Sequence, residues 1–204
     1  PLSGPAAAWG STGLGGEAWA KHVNEQGGIH GRKLRIVMKD DGYTPGRAVA
    51  NITDMKDSVF AIVGLLGTAV MNASKDIVGE AKIPTIYPYG DPQIWTKLPK
   101  DKQRYVFAIY TNYVDEGDFI VQQAAKIVNA KKIAIFYQND DFGKRYVEGA
   151  KRAVQALGGK VALVAEVPHE VQDRELGTHA LKIKDSGADV VIPVGTVTAG
   201  ANVI

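Results

Sequence analysis

The sequence predicts an α/β protein built as a doubly wound parallel sheet, in two similarly constructed parts. Three observations predict it. Short strand-like runs alternate with longer helix-like runs along all 204 residues. Most strand-like runs are apolar nearly end to end, which marks strands covered on both faces rather than one. The β-α-β rhythm also halts at a proline-rich stretch and then restarts. Repeated β-α-β units imply right-handed crossovers and helices on both sides of the sheet.

The elements follow in order. Residues 13–26 predict a helix that stops at Gly27-Gly28. Residues 34–39 predict a strand. Thr44 stands before Pro45, so its hydroxyl can cap a helix with proline in the first turn, running to about Asp57. A strand over 59–64 leads through the Gly64–Gly67 turn into a helix over 68–81, which stops before Pro84. Residues 85–87 form the next strand. The stretch 87–102 holds Pro88, Pro92 and Pro99 and predicts a loop with at most a short helical turn. A strand over 105–109 follows. The helix over 115–128 carries acids in its first turn, which complements the helix dipole. A strand at 132–137, a helix at 144–157 ending on Gly158-Gly159, and a strand at 161–167 continue the pattern. A helix over 175–185 ends at Ser186-Gly187, before a strand at 189–194. The restart places a domain boundary near Tyr110–Asn112, giving a first lobe at 1–110 and the first part of a second lobe at 111–204. The unit "helix, Gly-Gly, strand" occurs at 18–40 and again at 147–167, a faint internal echo. The chain opens on turn residues, Pro1 to Pro5, and ends just after a strand, so the expectation is a piece of a larger two-lobed protein.

Composition narrows the function classes. With 45% hydrophobic and 23% charged residues the chain can bury a sizeable core. Lys plus Arg number 24 against 22 Asp plus Glu, a net charge of +2. Such balance gives no electrostatic reason to expect nucleic acid or an anionic membrane as partner. The absence of cysteine removes disulfides, thiolate metal sites, iron–sulfur clusters and a cysteine nucleophile together. No apolar run approaches the ~20 residues of a transmembrane helix, and no signal peptide is visible.

Few motifs point to catalysis. Residues 13–18 match GxGxxA, and Asp40 lies where a ribose-binding acid would fall. A dinucleotide turn needs a strand directly ahead of its glycines, and Pro5, three alanines and Gly10-Ser11-Thr12 stand there instead. The alternative is that these glycines serve helix packing and chain entry. No P-loop and no GxSxG elbow occurs. His22, His30, His169 and His179 show no metal-ligand spacing and are expected at the surface. The expectation is therefore a binding protein with no cofactor, not an enzyme.

Three loops at strand ends carry the binding expectation, since open α/β sheets take ligands there. Leu66, Gly67, Thr68 and Ala69 form a strand–turn–helix junction, where a hydroxyl and helix-start N–H groups suit a carboxylate. Thr68 merely capping its helix fits the local sequence equally well. Tyr89, Gly90 and Asp91 sit on a proline-stiffened loop able to line a pocket, or to be a rigid surface turn. Phe142, in the polar turn 138–143, needs a ligand, a partner surface or packing on its own helix.

The chain resembles the substrate-binding proteins of ABC transporters of the Leu/Ile/Val-binding type. The residues carrying the resemblance are Pro1 to Pro5, Asn24 to Arg32, Asp40-Asp41 with Pro45, the run 59–64, the run 137–143, and Gly187 to Val191. The resemblance implies a type I periplasmic-binding-protein fold, two lobes closing about a hinge on a small ligand, incomplete in this chain. It implies a periplasmic location, an amino acid or similar carboxylate, amide or aromatic acid as ligand, and a membrane permease as partner. By the same resemblance, Ser3 and Trp9 lie at the cleft rim and Leu66, Gly67 and Thr68 meet the ligand, with Thr68 on its carboxylate. Tyr89, Gly90 and Asp91 supply a second contact, Tyr113 lies near the lobe crossing, and Phe142 and Thr196 come from the second lobe. Asp91 stands where amino-acid binders commonly carry a neutral hydroxyl residue, which would favour an amino, amide or hydroxyl group beside it. Gly67 leaves space beside Trp9 for a bulkier ligand. A ligand-sensing domain of the same fold, or a nicotinamide-dependent oxidoreductase through residues 13–18, are the competing readings.

Overall fold

A computed structural model describes residues 1–203. After a 3-10 turn at Ala7–Gly10, the N-terminal half holds helices α1 (Ser11–Glu25), α2 (Pro45–Met55) and α3 (Thr68–Ala81). Its strands are β1 (Ile62–Val63), β2 (Thr85–Ile86) and β3 (Val106–Phe107), parallel in the order β1-β2-β3. A 3-10 helix at Pro92–Lys97 and the short α4 (Lys100–Gln103) lie between β2 and β3. The C-terminal half runs α5 (Tyr113–Ile127), β4 (Lys132–Gln138), α6 (Asp141–Ala156), β5 (Ala162–His169), α7 (Gly177–Asp185), β6 (Val190–Val194) and α8 (Val197–Val203). Its sheet is also parallel, in the order β5-β4-β6.

The C-terminal half is doubly wound. β4 is central, and its alternate side chains serve two cores. Ile133 and Ile135 pack with Val121, Val147 and Ala150 of α5 and α6. Ala134 and Phe136 pack with Ile183, Ala199 and Val203 of α7 and α8. The continuous apolar run predicted this cover. Helices α5 and α6 cross closely because Gly149 lies against α5. A Cβ there would stand 2.1 Å from the Val114 carbonyl oxygen.

The N-terminal half departs from expectation in three places. Residues 34–39 form no strand, although their composition is apolar; the Asn24 side chain ties both the N–H and the C=O of Leu34, at 2.7 and 2.8 Å. A strand exists only through a partner's backbone, and among the described residues none lies alongside. β1 and β3 are buried on one face rather than both: Ile62 is in the core that Met71, Val78, Trp95 and Leu98 build, while Val63 and Phe107 are exposed. Thr44 sits at the start of α2 with Pro45 following, but its side chain makes no capping bond. The turn is held by Asp41 instead, whose carboxylate accepts from Tyr43 N–H at 2.7 Å.

Candidate functional site

The chain passes between the halves at residues 108–112, and a cavity of about 290 Å³ opens beside that passage, lined from both sides. The N-terminal half supplies its floor. Gly67 adopts φ +106°, and a Cβ there would strike the Tyr43 ring at 2.7 Å, so only glycine lets that ring cover the turn. Gly67 N–H donates to Tyr89 C=O at 2.8 Å, and Tyr89 N–H donates to Leu65 C=O at 2.8 Å, fixing Tyr89 beside the turn. Thr68 is buried as the first residue of α3. Its hydroxyl accepts from Asp91 N–H at 3.2 Å, which leaves the hydroxyl proton free to donate. The N–H groups of an α-helix's first turn have no acceptor within the helix.

An aromatic series leads across to the other half. Tyr89 meets Tyr110 edge-on at 5.6 Å between centroids, Tyr110 meets Tyr113 at 6.1 Å, and Tyr113 meets Phe142 at 5.2 Å and Tyr146 at 4.9 Å. Asn112 caps α5 by accepting from Val114 N–H at 2.9 Å, and so presents Tyr113 and Glu116 on one face. Asp140 caps α6 by accepting from Phe142 and Gly143 N–H at 3.0 and 3.2 Å. Burial pushes the Asp140 carboxyl above the ordinary carboxylate value. Gln138, at the end of β4, donates to the Tyr43 hydroxyl at 3.4 Å across the halves. Burial raises the phenols of Tyr43, Tyr113 and Tyr146 well above their ordinary value, and the Glu116 carboxylate raises Tyr146 further. Each phenol therefore keeps its proton for donation at neutral pH.

The charge of the cavity is simple. Glu116 is the one carboxylate among the residues that line it, and no Lys, Arg or His lines it. Among the described residues no cluster of metal-ligating side chains occurs.

Of the residues expected at the site, Trp9, Leu66, Gly67, Thr68, Tyr89, Tyr113, Phe142 and Thr196 line the cavity together. Ser3, Ala69, Gly90 and Asp91 do not. The Ser3 hydroxyl donates to Asp40 at the exposed chain start. Ala69, half-buried on the first turn of α3, is outside the lining. Gly90 is buried behind the floor, where a Cβ would meet the Met71 methyl at 2.4 Å. Asp91 needs the larger correction: its carboxylate caps the 3-10 helix, accepting from Gln93 N–H at 3.0 Å, and pairs with Arg145 at 2.7 Å. It has no free oxygen face for a ligand group.

Tyr43, Tyr110, Glu116, Gln138 and Tyr146 line the cavity without having been expected there. Helical spacing held a signal for two of them, since Glu116 is three residues beyond Tyr113 and Tyr146 four beyond Phe142. His169 corrects the expectation of surface histidines. It is buried and stacks on Phe136 at 4.4 Å, at the end of β5. Residues 13–18 lie inside α1, behind a 3-10 turn and no strand, so they form no dinucleotide turn. Gly13 does serve close packing, since a Cβ there would stand 2.9 Å from the Met38 sulfur, whereas Gly15 and Gly16 face open space.

Comparison with known proteins agrees with this architecture. The family model described as "Periplasmic binding protein" matches residues 1–204. An "Amino acid binding protein" of Pseudomonas aeruginosa is 27% identical over 175 residues, 84% of this chain and 45% of its own length. The "Leu/Ile/Val-binding protein homolog 3" of Brucella melitensis is 25% identical over 196 residues, 94% of this chain and 51% of its own length. The solved fatty acid ABC transporter substrate-binding protein from Thermomonospora curvata superposes with a TM-score of 0.83 at 26% identity, over 95% of this chain and 49% of that one. The chain thus spans about half the length of the curated relatives it matches. It belongs to the periplasmic binding protein family and has the type I fold of that family.

Proposed function

We propose that this chain is the ligand-holding part of an extracytoplasmic solute-binding protein of an ABC transporter, and that the cavity between its halves takes an amino acid. The halves are then two lobes, 1–110 and 111–204, that hinge at residues 110–112. One observation carries the reading: a single cavity takes lining residues from both halves, with Thr68 and a helix start on one side and Glu116 on the other. Ligand held there makes its full set of contacts only when the lobes are closed, and so shifts the population toward closure. A membrane permease would read the closed form.

The charge of the lining favours an amino acid over a simple anion. A carboxylate suits the Thr68 hydroxyl and the free N–H groups of α3. With no basic side chain in the lining, Glu116 would repel a ligand carrying only negative charge. An α-ammonium group answers that carboxylate. The aromatic wall of Trp9, Tyr89, Tyr110 and Phe142 suits an apolar or aromatic side chain. Among the described residues no helix is long and apolar enough to cross a membrane.

A thermal-shift screen of the full-length gene product tests the proposal, with amino acids, amides, benzoate, a fatty acid and nicotinamide cofactors. A ligand at 100 times its Kd stabilises by about 2.7 kcal/mol. Stabilisation by an amino acid is expected. Stabilisation by benzoate or the fatty acid alone would move the ligand to simple anions, and stabilisation by the cofactor alone would sink the binding-protein reading.

A further inference from the structure

We infer that the ion pair between buried Asp91 and Arg145 is an electrostatic latch, which biases the two halves toward closure independently of what occupies the cavity. The inference rests on the hinged-lobe reading. The latch lies outside the cavity lining and joins residues 54 apart in sequence.

The two partners are held differently. Asp91 belongs to the N-terminal half and is fully buried, its side chain 1% exposed. One carboxylate oxygen is fixed at home, accepting from Gln93 N–H at the start of the 3-10 helix. The other oxygen faces the C-terminal half and accepts from Arg145 Nε at 2.7 Å. Arg145 stands on the first turns of α6 with its side chain 26% exposed. Its Nη1 donates to Glu148 at 2.8 Å, which steadies the guanidinium on its own helix, and its Nη2 donates to the Gln93 side chain across the gap. All three guanidinium nitrogens therefore have acceptors, two of them on the opposite half. Beside this pair, Asn72 of α3 donates to Asp141 of α6 at 2.9 Å, a third bond from α6 to the N-terminal half.

The energetics follow from burial. A carboxylate withdrawn from water is tolerated only while its cationic partner is in place. Asp91 obtains that partner from the other half alone. Parting the halves must separate the pair and return both groups to water. The pair is formed at closure whether or not ligand is present, so it contributes to the open–closed equilibrium of the empty protein. A binding protein that is closed for a larger fraction of the time binds every ligand more tightly by the same factor. Cavity residues change the ranking of ligands, whereas the latch changes the common scale.

The test begins without ligand, in the full-length gene product. Lobe separation is measured by small-angle scattering and by a pair of distance labels, one on each lobe, for the wild type, Arg145→Gln, Asp91→Asn and the double variant. Asp91→Asn keeps a carbonyl oxygen for the Gln93 N–H, so the 3-10 helix retains its cap. Arg145→Gln alters a partly exposed helix position and serves if the buried Asp91 variant fails to fold. Each single variant is expected to open the empty protein, and the double variant to differ from either single by far less than the product of both effects. With L-leucine and L-phenylalanine as probes, each single variant weakens both by the same factor, about 10-fold. An unchanged lobe separation in folded Arg145→Gln overturns the latch, as does loss of one probe with the other spared. If neither probe binds the wild type, the lobe-separation result still decides the latch.

Discussion

The two sheets read alike in sequence and differ in the structure. β4 has seven residues and is covered on both faces, with Phe136 wholly buried. β1 and β3 have two residues each, and their outer faces leave Val63 67% and Phe107 53% exposed. Both sheets are built from Val, Ile and Phe in parallel register. An apolar run therefore states that a segment is able to pair and to be covered, and the length it reaches depends on whether cover exists on each face. In the C-terminal half helices on both sides provide it. In the N-terminal half α3 and the 3-10 helix cover one side only.

The largest way to break this comparison is to truncate one side chain in each sheet. Phe136→Ala should destabilise by about 3–5 kcal/mol, because a buried aromatic leaves a cavity between two packed layers. Val63→Ala should change stability by less than ~0.5 kcal/mol, as exposed positions do. Denaturant unfolding of both variants checks this, and equal losses would show that the outer face of β1 is covered in solution.

Next in size is the site itself. Thr68→Ala should weaken ligand binding by about 1–3 kcal/mol if the hydroxyl holds a buried charged group, and Thr68→Ser should retain most of the affinity. Calorimetry with the ligand found by thermal shift makes the measurement. Unchanged affinity in Thr68→Ala would remove the N-terminal half's hydroxyl from the site. Glu116→Gln sharpens the contrast from the other half. It should lower affinity for amino acids and raise the relative affinity for simple carboxylates, read in the same titrations.

Backbone exchange gives a smaller but more local contrast. Amide hydrogens of β4 should exchange far more slowly than those of β1, since local opening is easiest where buried contacts are few. Equal protection would contradict the one-sided cover of the first sheet.

The smallest expected effect is one of pH. The Ser3 hydroxyl and the Leu2 and Gly42 N–H groups hold the Asp40 carboxyl far below its ordinary value of 3.8. A carboxyl depressed in the folded state adds stability above its unfolded pKa and loses it as pH falls through the folded one. The melting difference between wild type and Asp40→Asn should therefore be full at neutral pH and shrink only as acidity passes below 3.8. A difference that stays constant over that range would show that these bonds are absent in solution.

Much of the architecture was legible because its causes are local. The helix at Thr68–Ala81 follows from a glycine turn ahead and a proline behind. Asn112 and Asp140 cap their helices through N–H groups two or three residues on, so α5 and α6 start two or three residues ahead of the ranges the sequence predicts. The same locality explains one wall of the cavity, since Leu66, Gly67 and Thr68 sit at a strand-to-helix turn wherever that turn forms. The apolar run at 34–39 misled because apolarity records what a segment can do and says nothing of its neighbour.

The sequence by itself determined the alternation of strands and helices from residue 62 onward, the parallel class of the sheets, and the glycine turn that brings a hydroxyl and helix-start N–H groups together. These depend on residues within a few positions of each other, where backbone geometry leaves few choices. Only the tertiary structure decided that Asp91 faces Arg145 instead of the cavity, that Glu116 is the cavity's charge, and that His169 is buried under Phe136. A side chain's charge state and partner are set by the groups packed around it, and for these residues those groups come from distant parts of the chain.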